Sequence, residues 1–373
     1  MDFTVLHRDT ATQARVGRLS TAHGPIDTPV FMPVGTQGTV KTMSPEELHE
    51  IGFGIILGNT YHLSLRPGTD IVGRAGGLHS FMHWDGALLT DSGGYQVFSL
   101  ATLREISPEG VAFRSHIDGA AHFLSPEGAI GMQETLGSDI MMVLDECTPY
   151  PCERDYACNS MERSLEWALR CKNARRSTHA ALFGIVQGGT YAGLRMRSAE
   201  ELVRIGFDGY AIGGLSVGEP GALMLETVAQ CCGILPSGRP RYLMGCGTPV
   251  EIIEAVARGV DMFDCVMPTR NGRNGTAFTA RGKLPVKNGA FRDDFRPIEE
   301  GCGCAACRHY TRAYLRHLFN AGEMLGLRLV TYHNLYFYHR LMAQMRETIA
   351  AGTFAAFKRD FIDRYEYGGA SCT

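Results

Sequence analysis

The sequence predicts an α/β fold of the (β/α)8 TIM-barrel type, and three observations carry this prediction. Eight short apolar runs recur along the 373-residue chain, each closed by glycine or a polar residue. The runs lack polar–apolar alternation, which is typical of strands buried on both faces. Segments with helix-start chemistry lie between several of them, so the strands must pair in parallel. A doubly wound open sheet is the alternative that these patterns leave open.

The predicted elements alternate in chain order. Residues 44–47 (SPEE) begin the first helix, because a cap serine, a first-turn proline and a capping-box glutamate stand together there. The same combination of residues occurs at 248–251 (TPVE), before the last strand. The capping box alone occurs again at 198–201 (SAEE), which predicts a further helix start. The eight predicted strands are residues 30–34, 54–59, 88–91, 140–145, 182–187, 210–214, 242–245 and 262–264.

Composition excludes several classes of protein. Hydrophobic residues make up 45% and charged residues 20% of the chain, which excludes disorder and a coiled coil. No apolar run approaches the roughly 20 residues of a membrane span, and the N-terminus lacks a secretion signal, so we expect a cytoplasmic protein without membrane contact. The net charge of −3 provides no global basic field, so any RNA site must be a local patch.

The chain is predicted to form a single catalytic barrel domain over residues 1–373. Its first two dozen residues precede the barrel and should add a strand pair or a plug. Beyond the eighth strand the sequence turns basic and then rich in cysteine, which indicates an inserted subdomain at residues 285–333 followed by closing helices.

Three carboxylates and an amide should meet at one face of the barrel. Asp91, Asp145, Gln187 and Asp264 each end a predicted strand, and the carboxyl ends of barrel strands surround one pocket. Each aspartate could instead cap the following helix. One carboxylate can attack an anomeric carbon while a second transfers the proton. A third can accept the N–H groups of a heterocycle such as guanine, with Gln187 and a glycine N–H donating to its carbonyl, although spacing alone does not select this chemistry.

The cysteines indicate a metal site. Twelve cysteines without a secretion signal are better explained as thiols and metal ligands than as disulfides. Cys302, Cys304 and Cys307, followed by His333, offer the four ligands of a closed structural zinc site. Reduced bystander cysteines are the alternative, and His309, His317 or His339 could each be the fourth ligand.

Seven motifs together make the chain resemble the tRNA-guanine transglycosylases, which exchange guanine at the anticodon wobble position for a 7-deazaguanine base. The resemblance runs over nearly the whole chain. The motifs are 91–96 (DSGGYQ), 145–147 (DEC), 184–189 (GIVQGG), 212–215 (IGGL), 244–249 (MGCGTP), 264–270 (DCVMPTR) and the set Cys302, Cys304, Cys307 and His333.

The resemblance implies roles for individual residues. Asp264 is similar to the family's covalent nucleophile and Asp91 to its general acid/base, and His333 completes a structural Zn²⁺ site, one per chain. The implied base- and substrate-binding residues are Ser92, Gly93, Gly94, Tyr95, Asp145, Gln187, Gly214, Leu215 and Met244, with Tyr95 and Met244 enclosing the heterocycle. The implied RNA-binding residues are Gly245, Cys246, Gly247, Thr248, Pro249, Val250, Glu251, Thr269, Arg270, Asn271, Gly272 and Arg273.

The resemblance also implies the reaction. Guanine at wobble position 34 of GUN-anticodon tRNAs (Asp, Asn, His, Tyr) is replaced by 7-aminomethyl-7-deazaguanine (preQ1) through a covalent Asp264–ribose intermediate, in queuosine biosynthesis by a homodimer. Val217 should close the space that the cyclopentenediol of queuine needs, but Ser216 departs from the usual bacterial alanine and resembles the eukaryotic type. The alternatives are a queuine-using transglycosylase, a non-catalytic RNA- and zinc-binding partner subunit, and an unrelated glycoside hydrolase.

Overall fold

A parallel β-barrel lies at the centre of the computed structural model, which describes residues 2–100 and 104–368. The strands in chain order are β1 (Asp2–Arg8), β2 (Arg15–Thr21), β3 (Gly24–Thr28), β4 (Val30–Met32), β5 (Val34–Gly35), β6 (Ile55–Gly58), β7 (Ala87–Thr90), β8 (Arg104–Ser107), β9 (Gly110–Arg114), β10 (Ala121–Leu124), β11 (Ile140–Met142), β12 (Ala181–Val186), β13 (Gly209–Ile212), β14 (Arg241–Leu243), β15 (Met262–Asp264), β16 (Thr276–Thr279) and β17 (Gly282–Pro285).

Helices surround the barrel and cover the end of the chain. They are α1 (Pro45–Ile51), α2 (Thr60–Leu65), α3 (Thr69–Arg74), α4 (Leu78–Met82), α5 (Gly94–Leu100), α6 (Pro126–Leu136), α7 (Arg154–Ala174), α8 (Ala192–Ile205), α9 (Gly221–Ile234), α10 (Pro249–Ala257), α11 (Met267–Arg273), a 3-10 turn (Gly289–Phe291), α12 (Ala305–His309), α13 (Arg312–Ala321), α14 (Met324–Ala350) and α15 (Phe354–Tyr367). No helix among the described residues is long and apolar enough to cross a membrane.

Nine strand segments form the barrel in the order β4-β15-β14-β13-β12-β11-β7-β6-β5. The two segments at the ends of this order, β4 and β5, are consecutive pieces of one strand that Pro33 interrupts, because proline lacks the N–H that a ladder needs. The Pro33 carbonyl still accepts a hydrogen bond from Leu57 at 2.9 Å, so the sheet closes on itself. Every predicted run overlaps a barrel strand, with starts that differ by at most one residue, and the predicted fold class is confirmed.

The barrel strands are buried on both faces, as their apolar runs predict. All six residues of β12 are buried, and its neighbour β13 packs closely beside it. Phe183 of β12 lies opposite Gly209 of β13, where a Cβ atom would come within 2.4 Å of the phenyl ring. Only glycine leaves room for that ring inside the barrel wall.

Antiparallel strands are added at three places outside the barrel, and the smallest addition is the pair β16–β17. The N-terminal segment forms a three-stranded meander, β1-β2-β3, one strand more than the predicted pair. Arg15 of this meander makes a buried ion pair with Asp261, 2.6 Å apart, at the start of β15, which fixes the meander to the barrel. A second meander, β8 to β10, lies between α5 and α6, and the sequence analysis did not predict it.

Two of the three predicted helix starts are confirmed and the third is wrong. Ser44 caps α1 with a complete capping box, and Thr248 accepts from the Glu251 N–H at the start of α10. Ser198 lies inside α8, which begins six residues earlier at Ala192 because residues 192–197 are mostly good helix formers. The Ser198 hydroxyl accepts from the Gln187 N–H at 3.1 Å instead.

The long helix α14 holds the end of the chain against the barrel. Asn334, fully buried in this helix, accepts from the Phe278 N–H at 2.9 Å and donates to the carbonyls of Pro268 and Thr276 at 3.0 and 2.9 Å. These bonds clamp α11 and β16, the two elements that follow the last barrel strand, to α14. The segment after Asp264 is thereby fixed in place.

Candidate active site

The polar strand endings lie together at the carboxyl end of the barrel. Asp91 follows β7, Asp145 lies three residues after β11, Gln187 follows β12, and Asp264 ends β15. The Asp264 charge helps to raise the pKa of Asp91, and the Asp91 charge in turn helps to raise the pKa of Asp145, so the carboxylates interact electrostatically. The predicted convergence of these side chains at one face is thus present.

Asp91 is a buried carboxyl group whose hydrogen-bond donors include Asn59 and Thr60. The Asn59 side-chain amide donates to Oδ2, and the Thr60 N–H donates to Oδ1 at 2.8 Å. Burial raises the pKa of Asp91 to about 6, while the hydrogen bonds from Asn59 and Thr60 oppose this rise. A carboxyl group with that pKa can both give up and accept a proton near neutral pH.

Asp264 is half-buried, and its partners engage one oxygen. The Tyr242 hydroxyl donates to Oδ1 at 2.6 Å and the Gly245 N–H donates to the same atom at 2.8 Å. Burial raises the pKa of Asp264, and these two hydrogen bonds oppose the rise. Both of these bonds end on Oδ1, so neither of them occupies Oδ2.

Asp145 and Gln187 form a buried polar pair beside these carboxylates. The Gln187 amide donates from Nε2 to Asp145 Oδ2 at 2.7 Å, and its Oε1 is buried without a hydrogen-bond partner among the described residues. Burial raises the pKa of Asp145 to about 6. Gly214 packs directly on this pair, because a Cβ atom there would lie 2.3 Å from Gln187 Oε1. The arrangement offers carboxylate acceptors and amide donors side by side, as a purine base requires.

The turn after β7 packs against the Asp145 main chain. Ser92, Gly93 and Gly94 are buried, and Ser92 Oγ accepts from the Gly94 N–H at 3.3 Å. A Cβ atom at Gly94 would lie 2.7 Å from the Asp145 carbonyl oxygen. The turn therefore links two of the strand endings.

Three further predicted residues differ in their exposure to solvent. Tyr95, at the start of α5, exposes 52% of its surface, whereas Leu215 is buried. Met244 is half-buried, with its sulfur 3.6 Å from the Cβ position of Gly213. Tyr95 is thus accessible to a ligand from solvent, and Met244 lies beside Gly213.

The predicted RNA segments mix exposed and buried residues. Cys246, Gly247, Pro249, Thr269 and Gly272 are buried. Gly245 and Arg270 are exposed, and Thr248, Val250, Glu251, Asn271 and Arg273 are half-buried. The exposed and half-buried residues are therefore the ones in these segments that can reach a large ligand.

The cysteine cluster is assembled with the geometry of a metal site. Nδ1 of His333 lies 3.9, 3.5 and 3.4 Å from the sulfurs of Cys302, Cys304 and Cys307. Ligands of tetrahedral zinc stand about 3.6 Å apart for a sulfur and a nitrogen. Nε2 of His333 lies 2.8 Å from the Phe278 carbonyl, which directs Nδ1 to the cysteines. All four residues are buried, and together they could hold a metal ion.

A second histidine–carboxylate group lies at the opposite end of the barrel. His23 and His79 stack 3.7 Å apart and both contact Asp139, just before β11. The Asp139 carboxylate also accepts from the Leu88 N–H at 2.9 Å, so this group ties together neighbouring strands.

Sequence reasoning missed four residues of the site. Asn59 ends a predicted strand, and a polar residue at a strand end is a signal by which it could have been identified. Tyr242 lies inside a strand, and Arg195 and Ser198 lie inside a helix, where local sequence gives no sign of their partners. They contact the site only because the barrel brings distant segments together.

The comparisons with known proteins agree over nearly the whole chain. The sequence profile of the queuine tRNA-ribosyltransferase family matches residues 9–367. A queuine tRNA-ribosyltransferase of Symbiobacterium thermophilum is 60% identical over 367 residues, covering 98% of this chain and 92% of its own. Enzymes of the same name from Pelotomaculum thermopropionicum and Caldanaerobacter subterraneus subsp. tengcongensis are 58% and 59% identical, each over 98% of this chain and 99% and 98% of their own.

Proposed function

The chain belongs to the queuine tRNA-ribosyltransferase family of pentosyltransferases, and we propose that it replaces guanine at wobble position 34 of GUN-anticodon tRNAs by a 7-deazaguanine base, in queuosine biosynthesis. The observation that carries the proposal is the placement of Asp264 and Asp91 beside the Asp145–Gln187 pair. A nucleophile, an acid/base and a base-reading pair are the three parts that this exchange needs.

Two displacements make up the proposed reaction. Oδ2 of Asp264 bonds to C1′ of the ribose, and the C1′–N9 bond breaks with its electron pair leaving on guanine, which takes up a proton. The incoming base then loses its N9 proton and attacks C1′, and the Asp264 carboxylate departs. Asp91, with its pKa of about 6, supplies and removes these protons.

The Asp145–Gln187 pair is proposed to read the base. Asp145 accepts from N1–H and the exocyclic amino group of guanine, while Gln187 and the Gly214 N–H donate to the O6 carbonyl. Tyr95 and Met244 enclose the ring faces. The exposure of Tyr95 and the position of Met244 beside Gly213 support this assignment.

The anticodon loop is proposed to lie along the two segments at 245–251 and 269–273. Arg270 is exposed, and Nη1 of Arg273 has no hydrogen-bond partner among the described residues. The exposed guanidinium of Arg270 is thus available to phosphate oxygens, whereas Nη1 of Arg273 is buried. This local patch allows an acidic chain to bind RNA.

The cysteine cluster is proposed to hold one structural zinc ion per chain. Cys302, Cys304, Cys307 and His333 fill all four positions of a tetrahedral shell, so no position remains for a catalytic water. Residues 285–333 form the zinc-binding subdomain in this proposal. The metal fixes the segment that follows the RNA patch against α14.

The incoming base is proposed to be preQ1. Glu219 accepts from the Ser216 and Val217 N–H groups at 2.5 and 3.0 Å, which shapes the turn around Val217. The branched Val217 side chain limits the space for a cyclopentenediol, and the Leu215 carbonyl remains as an acceptor for the ammonium of preQ1. Use of queuine is the alternative.

The proposed setting is a cytoplasmic homodimer. Its partners are tRNA, guanine and preQ1. The presence of both Asp91 and Asp264 argues against a non-catalytic partner subunit. A monomer observed by sedimentation at micromolar concentration would contradict the proposed dimer.

An exchange assay tests the proposed function. Labelled guanine should leave a GUN-anticodon tRNA when preQ1 is supplied, and wild-type enzyme should form an RNA adduct that survives denaturant. Asp264→Asn should fold but form no adduct, because an amide cannot displace the base. Asp363→Asn, an exposed change of the same kind, should behave as wild type. No guanine release by wild type, or an adduct with Asp264→Asn, would refute the assignment.

A further inference from the structure

Arg195 is a fully buried arginine whose hydrogen bonds all end on main-chain carbonyls. Its guanidinium donates to Gly189 at 2.6 Å, to Val186 at 2.9 Å, to Gly213 at 2.7 Å and to Gly214 at 3.2 Å. None of the ion pairs among the described residues includes it. Buried charges are normally paired with an opposite charge, so an unpaired buried cation requires an explanation.

The four carbonyls belong to the last residue of β12 and to the turns that follow β12 and β13, beside the Asp145–Gln187 pair. In a trans peptide the C=O and the N–H point in opposite directions. The bond from Arg195 to the Gly213 carbonyl therefore turns the Gly214 N–H away from the guanidinium. Arg195 fixes the direction of this donor without touching the base.

The same helix face fixes the neighbouring turn. Ser198 lies one turn after Arg195 on α8, and its hydroxyl accepts from the Gln187 N–H at 3.1 Å. Gly214 cannot carry a side chain there, because a Cβ atom would lie 2.3 Å from Gln187 and 3.4 Å from Nη2 of Arg195. α8 thus holds both groups that the proposed function assigns to the base carbonyl.

The charge of Arg195 has a use in the proposed reaction. Guanine leaves with the electron pair of the C1′–N9 bond, and this negative charge spreads to O6. A cation bonded to the carbonyl of the Gly213–Gly214 peptide polarises it and strengthens its N–H as a donor. Donors fixed before charge develops are the ones that stabilise a transition state.

We propose that Arg195 is a positioning residue for the leaving base: it aims the Gly214 N–H at the base carbonyl and places a positive charge behind it. This inference rests on the proposed function. It predicts that Arg195 controls how strongly the enzyme prefers a base with a 6-oxo group over a base without one. This preference is a separate quantity from protein stability and tRNA affinity.

The test compares guanine with 2-aminopurine, which lacks the 6-oxo group, as competitors in the exchange reaction. The ratio of their inhibition constants does not depend on how much enzyme is folded, so a merely structural role would leave it unchanged. Arg195→Met should lower the preference for guanine about 10-fold, the effect of one hydrogen bond. Arg197→Met is the matched control, because Arg197 lies on the same helix but is exposed.

Arg195→Lys keeps the charge and extends the test if the methionine variant does not fold. It should retain part of the preference, with a loss of about threefold. A wild-type ratio in Arg195→Met, or in Arg195→Lys when the methionine variant is insoluble, would overturn the inference. Wild-type enzyme that exchanges no guanine would refute the proposed function instead, so the two failures are distinguishable.

Discussion

Replacing Asp145 by asparagine should stabilise the protein at pH 8 while abolishing recognition of the base. Asp145 is 7% exposed, and its Oδ2 accepts from Gln187 at 2.7 Å. Asparagine is nearly isosteric and can still accept that bond through its own oxygen. The substitution therefore removes a buried negative charge without opening a cavity.

The size of the gain follows from the pKa of Asp145. Burial raises this pKa from 3.8 to about 6, so the folded state holds the proton more tightly than the unfolded chain. Stability is therefore lost as pH rises from about 4 to about 6 and stays low above that range. The gap between the two pKa values lowers the free energy of unfolding by about 3 kcal/mol at pH 8 and by about half as much at pH 5. For 373 residues, 3 kcal/mol amounts to a Tm increase of about 4 °C.

Thermal unfolding at the two pH values checks this reasoning. Asp145→Asn should raise the Tm by about 4 °C at pH 8 and by about 2 °C at pH 5, and base exchange should be lost at both. Asp363→Asn controls for the loss of one exposed charge. The reasoning fails if the Tm at pH 8 does not exceed that of wild type, or if the gain in Tm does not grow with pH. Either result would show that the buried negative charge of Asp145 does not destabilise the fold.

Three further changes test other parts of the molecule. Cys304→Ala should abolish retention of one zinc per chain and lower the Tm, because binding energy at a closed site is folding energy; unchanged zinc in metal analysis would exclude Cys304 as a ligand. Arg270→Ala should weaken tRNA binding and reduce the slope of log K against log salt by about one or less, and an unaltered slope would place Arg270 away from phosphate. Val217→Gly should increase the use of queuine relative to preQ1 in parallel exchange assays, whereas wild-type enzyme that uses queuine equally well would show that Val217 does not close the pocket.

The predicted and observed sites differ in a consistent way. The groups to which the proposed function assigns chemistry, such as Asp91 and Asp264, stand at strand ends and can be found in the sequence. Groups that act by contact, such as Tyr242 and Asn59, cannot be assigned partners before the barrel closes. Tyr242 bonds to a carboxylate 22 residues away on the neighbouring strand.

The error at Ser198 has the same origin. The residues around it satisfy the local pattern of a helix start, but α8 begins at Ala192. The hydroxyl is used by Gln187, on the turn that follows β12. A tertiary contact thus replaced the capping role that local sequence predicts.

The sequence by itself determined an α/β fold with eight parallel strands, and the residue types of both the acidic site and the cysteine cluster. These features are encoded locally, because strands buried on both faces must be continuously apolar and ligand chemistry depends on side-chain type. Only the tertiary structure decided that the sheet closes, which residues are buried in the predicted RNA segments, and which donors hold Asp91 and Asp264. It also decided that Arg195 lies behind Gly214. The physical reason is that these properties depend on distances between segments far apart in the chain, and those distances exist only once the barrel has closed.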